Sequence, residues 1–129
     1  MSREPTLRHA LLAALAVSFA AAGSAGAQDA AAGATVFQNF CSACHSVDKP
    51  ARNKMGPSLL GVVGRKAGAV AGFNYSSAMK AYGKPWTAAN LDVYLTAPSK
   101  AVPGTNMTFA GVKDAAKRAS LIAYLKLQK

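Results

Sequence analysis

Histidine, cysteine and acid are scarce in this 129-residue chain: two His, two Cys, and five Asp plus Glu against 15 Lys plus Arg. Each scarcity closes an option. Only Ser42 and Ala43 separate Cys41 from Cys44, so a disulfide there would close a tight loop and staple almost nothing. With His45 the two cysteines make three donors, one short of a structural zinc site, and there is no second cluster. A thioredoxin-like redox pair expects a preceding strand and a βαβ setting, yet no alternating strand pattern occurs. The apolar runs fall short of the roughly 20 residues of a membrane span. Aromatics do not interleave with basic residues as a nucleic-acid stacking platform requires. No internal repeat is present.

What is present begins with a leader. Arg3 and Arg8 precede an uncharged run from Leu11 to Ala22, and small residues end in Ala25-Gly26-Ala27 before Gln28. That charged, apolar, small-residue order predicts a signal peptide cleaved after Ala27, with domains at 1–27 and 28–129 and export to the periplasm. A retained anchor is the alternative. Dropping Arg3, Arg8 and Glu4 from the totals of 15 and five leaves 13 basic residues against four acids. Such a balance favours acidic partner surfaces, nucleic acid or anionic membranes, with a solvated basic surface as the competing reading, and export argues against nucleic acid. His9 leaves with the leader, so His45 is the only histidine of the remaining chain.

The rest reads as all-α. Asp29 is placed to cap a helix from about Ala30 to Cys44, with Val36, Phe37 and Phe40 at helical spacing. Ser46 to Asn74 holds Pro50, Pro57 and five glycines and reads as one long loop. So long a loop is unusual in a compact domain, and wrapping a cofactor accounts for it. A short helix is predicted over Ser76–Tyr82, ended by Gly83 and Pro85. Thr87 is the expected cap of another, with Leu91, Tyr94 and Leu95 on its apolar face and Pro98 as its stop. Ser99 to Val112 is predicted as loop, turning at Pro103-Gly104. Asp114 is the expected cap of a last helix reaching about Gln128, with Leu121, Ile122 and Leu125 inward.

Cys41-Ser42-Ala43-Cys44-His45 is the chemistry-bearing motif. C-x-x-C-H reads as c-type haem attachment. Two thiols three positions apart can each add to one of the two vinyl groups of haem. The next residue, His45, is then held beside the iron as its proximal ligand. A large covalent apolar plate would also help a core this small, which buries a modest fraction of its surface. The second axial ligand decides the chemistry: an open position admits oxygen or peroxide, whereas a thioether favours electron transfer. Met55, Met79 and Met107 are the candidates. Met79 sits in a helical stretch where packing is the simpler role. Spacing favours Met107, on a turn-rich loop far from His45.

The chain resembles the class I cytochromes c, especially the soluble mitochondrial and α-proteobacterial carriers. The resemblance rests on Gly33 and Phe37, Gly56-Pro57-x-Leu59, Gly64-Arg65-Lys66-x-Gly68 and Gly72-Phe73-x-Tyr75-Ser76. It continues through Trp86, Tyr94-Leu95-x-x-Pro98, Pro103-Gly104-Thr105-x-Met107-x-Phe109-x-Gly111 and Leu121-Ile122-Ala123-Tyr124-Leu125, in that order. It implies the cytochrome c fold, with short helices and long loops around one haem c bound through Cys41 and Cys44, and first and last helices in close contact. It implies Met107 as the distal ligand, the Pro57 carbonyl as acceptor for the second ring N–H of His45, and Tyr94 near the Met107 sulfur. It further implies Arg65, Tyr75, Trp86 and Thr105 around the haem propionates, and Phe109 over the haem edge. Ordinary core packing is the competing role for the aromatics. There are departures. Met79 stands where mitochondrial proteins usually carry Asn in an inner water network, and Ser99, Asn106 and Asp114 replace lysines around the haem edge. Lys54, Lys100 and Lys113 remain.

The expected function is therefore a monomeric periplasmic electron shuttle. It is not an enzyme. Its partners are membrane or periplasmic redox proteins with acidic docking surfaces, met in transient complexes, and not nucleic acid. A peroxidase would need Met107 to leave and a base, and outside the leader no second histidine exists to serve. A dedicated electron-acceptor subunit of one periplasmic dehydrogenase is the other alternative.

Overall fold

In the computed structural model, which describes residues 25–129 and Ser18, the first helix starts earlier than its sequence suggests. Helix α1 spans Ala25–Phe40. Ala27, Gln28 and the run Ala30–Ala32 are good helix formers. Asp29 therefore lies inside the helix and is not its cap. The predicted signal peptide, residues 1–27, lies outside the described residues except for its last three and Ser18. The C-terminal end also differs from expectation. Cys41 and Ser42 N–H both donate to Phe37 O, at 2.8 and 3.0 Å, and Cys44 and His45 N–H both donate to Cys41 O, at 3.1 and 2.9 Å. Shared carbonyls convert the expected last helical turn into tight turns, so the helix stops at Phe40.

Four further helices follow: α2 (Ser77–Tyr82), α3 (Ala88–Thr96), α4 (Pro98–Ala101) and α5 (Ala115–Lys126). Among the described residues there is no strand, only an isolated antiparallel bridge between Lys66 and Pro85. The class is all-α, as the sequence implies. The caps account for the boundaries. Ser76, Thr87 and Asp114 side chains accept from the N–H of Met79, Asn90 and Lys117. Each satisfies a donor that has no partner within its helix. Gly83 closes α2 in the left-handed region at φ 52°, where only glycine is unstrained. Helix α4 was expected as loop; Pro98 pre-sets its first turn, and four residues carry no legible periodicity.

The two terminal helices cross at a glycine. A Cβ on Gly33 would lie 1.9 Å from Ser120 O, so α1 and α5 meet backbone to backbone. Phe37 then packs on Tyr124 with centroids 5.5 Å apart, and Leu121 is wholly buried. Truncating such a leucine to alanine typically costs about 2–5 kcal/mol. Arg118 ties α5 to α3 through Asp92 at 2.8 Å and holds the carbonyls of Val112 and Lys113, at 3.0 Å each.

The long loop from Ser46 to Asn74 is irregular but paired. Leu59 N–H donates to Ser46 O at 2.8 Å, Gly61 N–H to Gln128 O at 2.7 Å, and Asn53 links Ser58 N–H to Ala71 O. Its backbone groups thus find partners without a ladder.

Candidate cofactor site

The residues flagged by the sequence gather around two segments. The first is the turn after α1. Cys41 is buried there and Cys44 is half-buried, with no disulfide between them. Burial, and secondarily the neighbouring Cys44, pushes the Cys41 thiol up to about 11. Before any haem is attached, that burial disfavours the thiolate that disulfide exchange and nucleophilic catalysis use.

His45 is fixed by the loop that follows. Its Nδ1–H donates to Pro57 O at 2.8 Å, which leaves Nε2 as the nitrogen with a free lone pair. Burial lowers its pKa, opposed by the Pro57 carbonyl and assisted by Lys54. The ring is held neutral, the form that binds metal. Gly56 lies against the ring: a Cβ there would come 2.3 Å from His45 Cε1. Gly56 N–H donates to Cys44 O at 2.8 Å, and the Lys54 ammonium donates to Ser42 O. Loop and turn are thereby stapled together. The sequence places Gly56 beside Pro57 in a motif, but its contact with a ring eleven positions earlier exists only in three dimensions.

The second segment carries Met107. Tyr94, on α3, donates its hydroxyl to Met107 Sδ at 3.6 Å. Thr105 Oγ1 lies 3.0 Å from the same hydroxyl and accepts from Met107 N–H at 3.3 Å. With Tyr94 already donating to sulfur, the Thr105 hydroxyl supplies the hydrogen of the pair. The result is a relay from Thr105 through Tyr94 to the thioether. Burial raises the Tyr94 pKa, with Thr105 opposing and Tyr82 assisting, so the phenol stays protonated and able to donate. The other methionines behave differently. Met79 is 8% exposed and packs in the core, whereas Met55 is 81% exposed with Sδ 3.8 Å from Cys44 Sγ.

The remaining predicted residues surround these segments. Trp86 lies between Tyr82 and Tyr94, with centroids 5.3 and 4.9 Å away. Tyr75 accepts from Val70 N–H at 3.0 Å, leaving its own O–H to donate, and packs edge-on against Phe73. Arg65 donates to Leu60 O and Ser58 O, both at 2.9 Å. Those carbonyls, one from a wholly buried serine, anchor a half-buried guanidinium that the sequence reading connected only with propionates. Burial lowers the Arg65 pKa, with Tyr75 raising it. Phe109 packs on Phe40 at 6.4 Å between centroids. That contact joins the residue before Cys41 to the loop of Met107.

A covalent haem fits these residues. Two cysteines lie in the tight turns that follow α1, a neutral imidazole is oriented through Nδ1, and a glycine lies where any side chain would displace that ring. This combination defines a c-type haem protein. The comparisons agree. The family model for cytochrome c matches residues 30–129. The chain is 50% identical over 97 residues to the cytochrome c-type cyt cy of Rhodobacter capsulatus, covering 75% of this chain and 48% of that protein. It is 49% identical over 102 residues to cytochrome c2 of Blastochloris viridis, covering 79% and 80%. Among solved structures, cytochrome cH from Methylobacterium extorquens superposes with TM-score 0.71 and 46% identity, over 76% of this chain and 97% of that one. The chain belongs to the cytochrome c family. It carries haem c, bound covalently through Cys41 and Cys44, and is a single-haem electron carrier.

Proposed function

We propose that this protein is a monomeric periplasmic shuttle whose iron is held by His45 and Met107. The bound haem supplies a one-electron couple, and its potential is raised by a thioether ligand. The observation that carries the reading is the relay from Thr105 through Tyr94 to Met107 Sδ, because an uncommitted core methionine has no reason to receive an oriented donor. His45 is held from its other nitrogen by Pro57 O, so both ligands are oriented by neighbours before an electron moves. Such pre-set groups keep rearrangement on transfer small.

Around them, Arg65, Tyr75 and Trp86 would supply the donors that buried propionates require, whereas the single hydrogen of the Thr105 hydroxyl is committed to Tyr94. Phe109 covers the edge. Export is supported by the leader's charged, apolar, small-residue order ending at Ala27, after which the family match begins at residue 30. Among the described residues no helix is long and apolar enough to cross a membrane. The excess of Lys and Arg suits redox partners with acidic surfaces, met in fast, short-lived complexes, and catalysis forms no part of the reading.

Optical spectra and intact mass of protein purified from periplasm test this reading. The expected result is a chain of residues 28–129 plus one haem that acidified solvent does not extract. The ferric form should show a far-red methionine-to-iron band. Extractable haem, or the absence of that band at neutral pH, contradicts it.

A further inference from the structure

Met55, Met79 and Met107 are the methionines among the described residues, and their sulfurs differ in what shields them. Met79 is buried in the core. Met107 is half-buried, and its sulfur receives the Tyr94 hydroxyl. Met55 is 81% exposed and lies outside the hydrophobic core. A single exposed apolar residue is ordinary on a protein surface, so exposure alone carries no meaning. The place of its sulfur does.

The backbone around Met55 is pinned. Lys54 N–H donates to Gly56 O at 2.9 Å, Gly56 N–H to Cys44 O at 2.8 Å, and the Lys54 ammonium to Ser42 O. Residue 55 is the tip of a tight turn fastened on both sides to the segment that carries the attachment cysteines. Its side chain folds back on that segment and sets Sδ 3.8 Å from Cys44 Sγ. Cys41 is buried and Cys44 is half-buried, so Cys44 is the attachment sulfur that solvent approaches, and Met55 stands beside it. Two oxidisable sulfurs in contact, the outer one the more exposed, define an order of attack. Lys54 adds charge. Its ammonium is anchored on a carbonyl, which cancels none of it, in a chain with 15 Lys plus Arg against five acids. Anionic oxidants are drawn to such a surface.

We infer that Met55 is a sacrificial oxidation site, which consumes hypohalous acids and hypohalites before they reach the Cys44 attachment or the Met107 sulfur. The step is a two-electron oxygen transfer. The Met55 thioether gives up two electrons and gains an oxygen as the sulfoxide. The O–Cl bond of hypochlorous acid breaks, and chloride and a proton leave. The inference rests on covalent haem and holds whichever partners exchange electrons with the protein.

The test titrates the ferric holoprotein with increasing equivalents of hypochlorous acid at neutral pH, quenched with free methionine. The readouts are the far-red band and the oxygen found on tryptic peptides. Met55–Arg65, Ala67–Lys80 and Ala101–Lys113 carry the three methionines separately. The first equivalent should put about five times more oxygen on Met55 than on Met79 and Met107 together, with the band intact. Met55→Leu keeps the volume beside Cys44 but removes the reactive sulfur. It should lose the band, and take oxygen on the haem-bearing peptide, at about half the dose that wild type withstands. Oxygen that lands first on Met107 or Met79 overturns the inference. A Met55→Leu titration that superimposes on wild type overturns it as well, because residue 55 would then be a cover and not a scavenger.

Discussion

The His45 side and the Met107 side of the site are built differently. His45 is held by main chain and by an absence of side chain: the Pro57 carbonyl on Nδ1, and Gly56 against the ring. Met107 is held by side-chain hydroxyls, Thr105 and Tyr94, on a turn-rich loop. Backbone anchors shift only if the loop shifts. Hydroxyl anchors can be removed one at a time with little change of volume. Gly56 therefore admits no side chain without moving the His45 ring, and the sulfur side is graded.

Breaking the first half of that contrast should give the largest effect. Gly56→Ala drives a methyl into the His45 ring, and overpacking of this kind costs about 3 kcal/mol. Denaturant titration of the holoprotein, with the yield of covalently attached haem, should show a large loss of both. Near-normal values would mean the ring moves freely.

Tyr94→Phe is the corresponding cut on the other side. It removes one buried hydroxyl that touches Thr105 and Met107 Sδ, a loss of about 1 kcal/mol. The far-red band should persist at neutral pH but yield at lower denaturant than in wild type. Thr105→Val should act in the same direction and more weakly.

Tyr94 also adds a pH signature. Its folded pKa is raised, mainly by burial, so the unfolded chain ionises first, near the ordinary value of 10.0. The stability it contributes is complete below that pH and is lost as pH rises toward the folded value. Unfolding midpoints measured through the alkaline range should fall, and Tyr94→Phe should flatten the fall. An identical slope in both proteins would remove Tyr94 from the account.

The smallest effect is expected away from both ligands. Asp92→Asn weakens the Arg118 contact between α3 and α5, but Asp92 is half exposed, so the loss should stay under about 1 kcal/mol, with no change in the far-red band.

The same contrast governs what could be read before the fold was seen. Local signals were legible. Thr87 and Asp114 cap the helices expected of them, Gly83 and Pro98 end theirs, and the Cys-x-x-Cys-His motif carries its meaning in adjacent residues. Helix ends set by competing interactions were less legible. Cys41 to Cys44 tightens into turns that share carbonyls, and α1 runs back through Asp29 because its neighbours are good helix formers. Contacts between distant residues carried no local signal. Gly56 beneath His45 and the Arg65 grip on Ser58 and Leu60 depend on how a long irregular loop returns. The methionines show the boundary clearly. Spacing singles out Met107 from Met55 and Met79, but the hydroxyl that addresses its sulfur comes from another helix.

The central claim is that Met107 completes the site opposite His45. The far-red charge-transfer band of the ferric holoprotein tests it most directly, compared among wild type, Met55→Ala and Met107→Ala. The band should be present in wild type and in Met55→Ala, and absent in Met107→Ala. A band that survives in Met107→Ala, or disappears in Met55→Ala, would contradict the account.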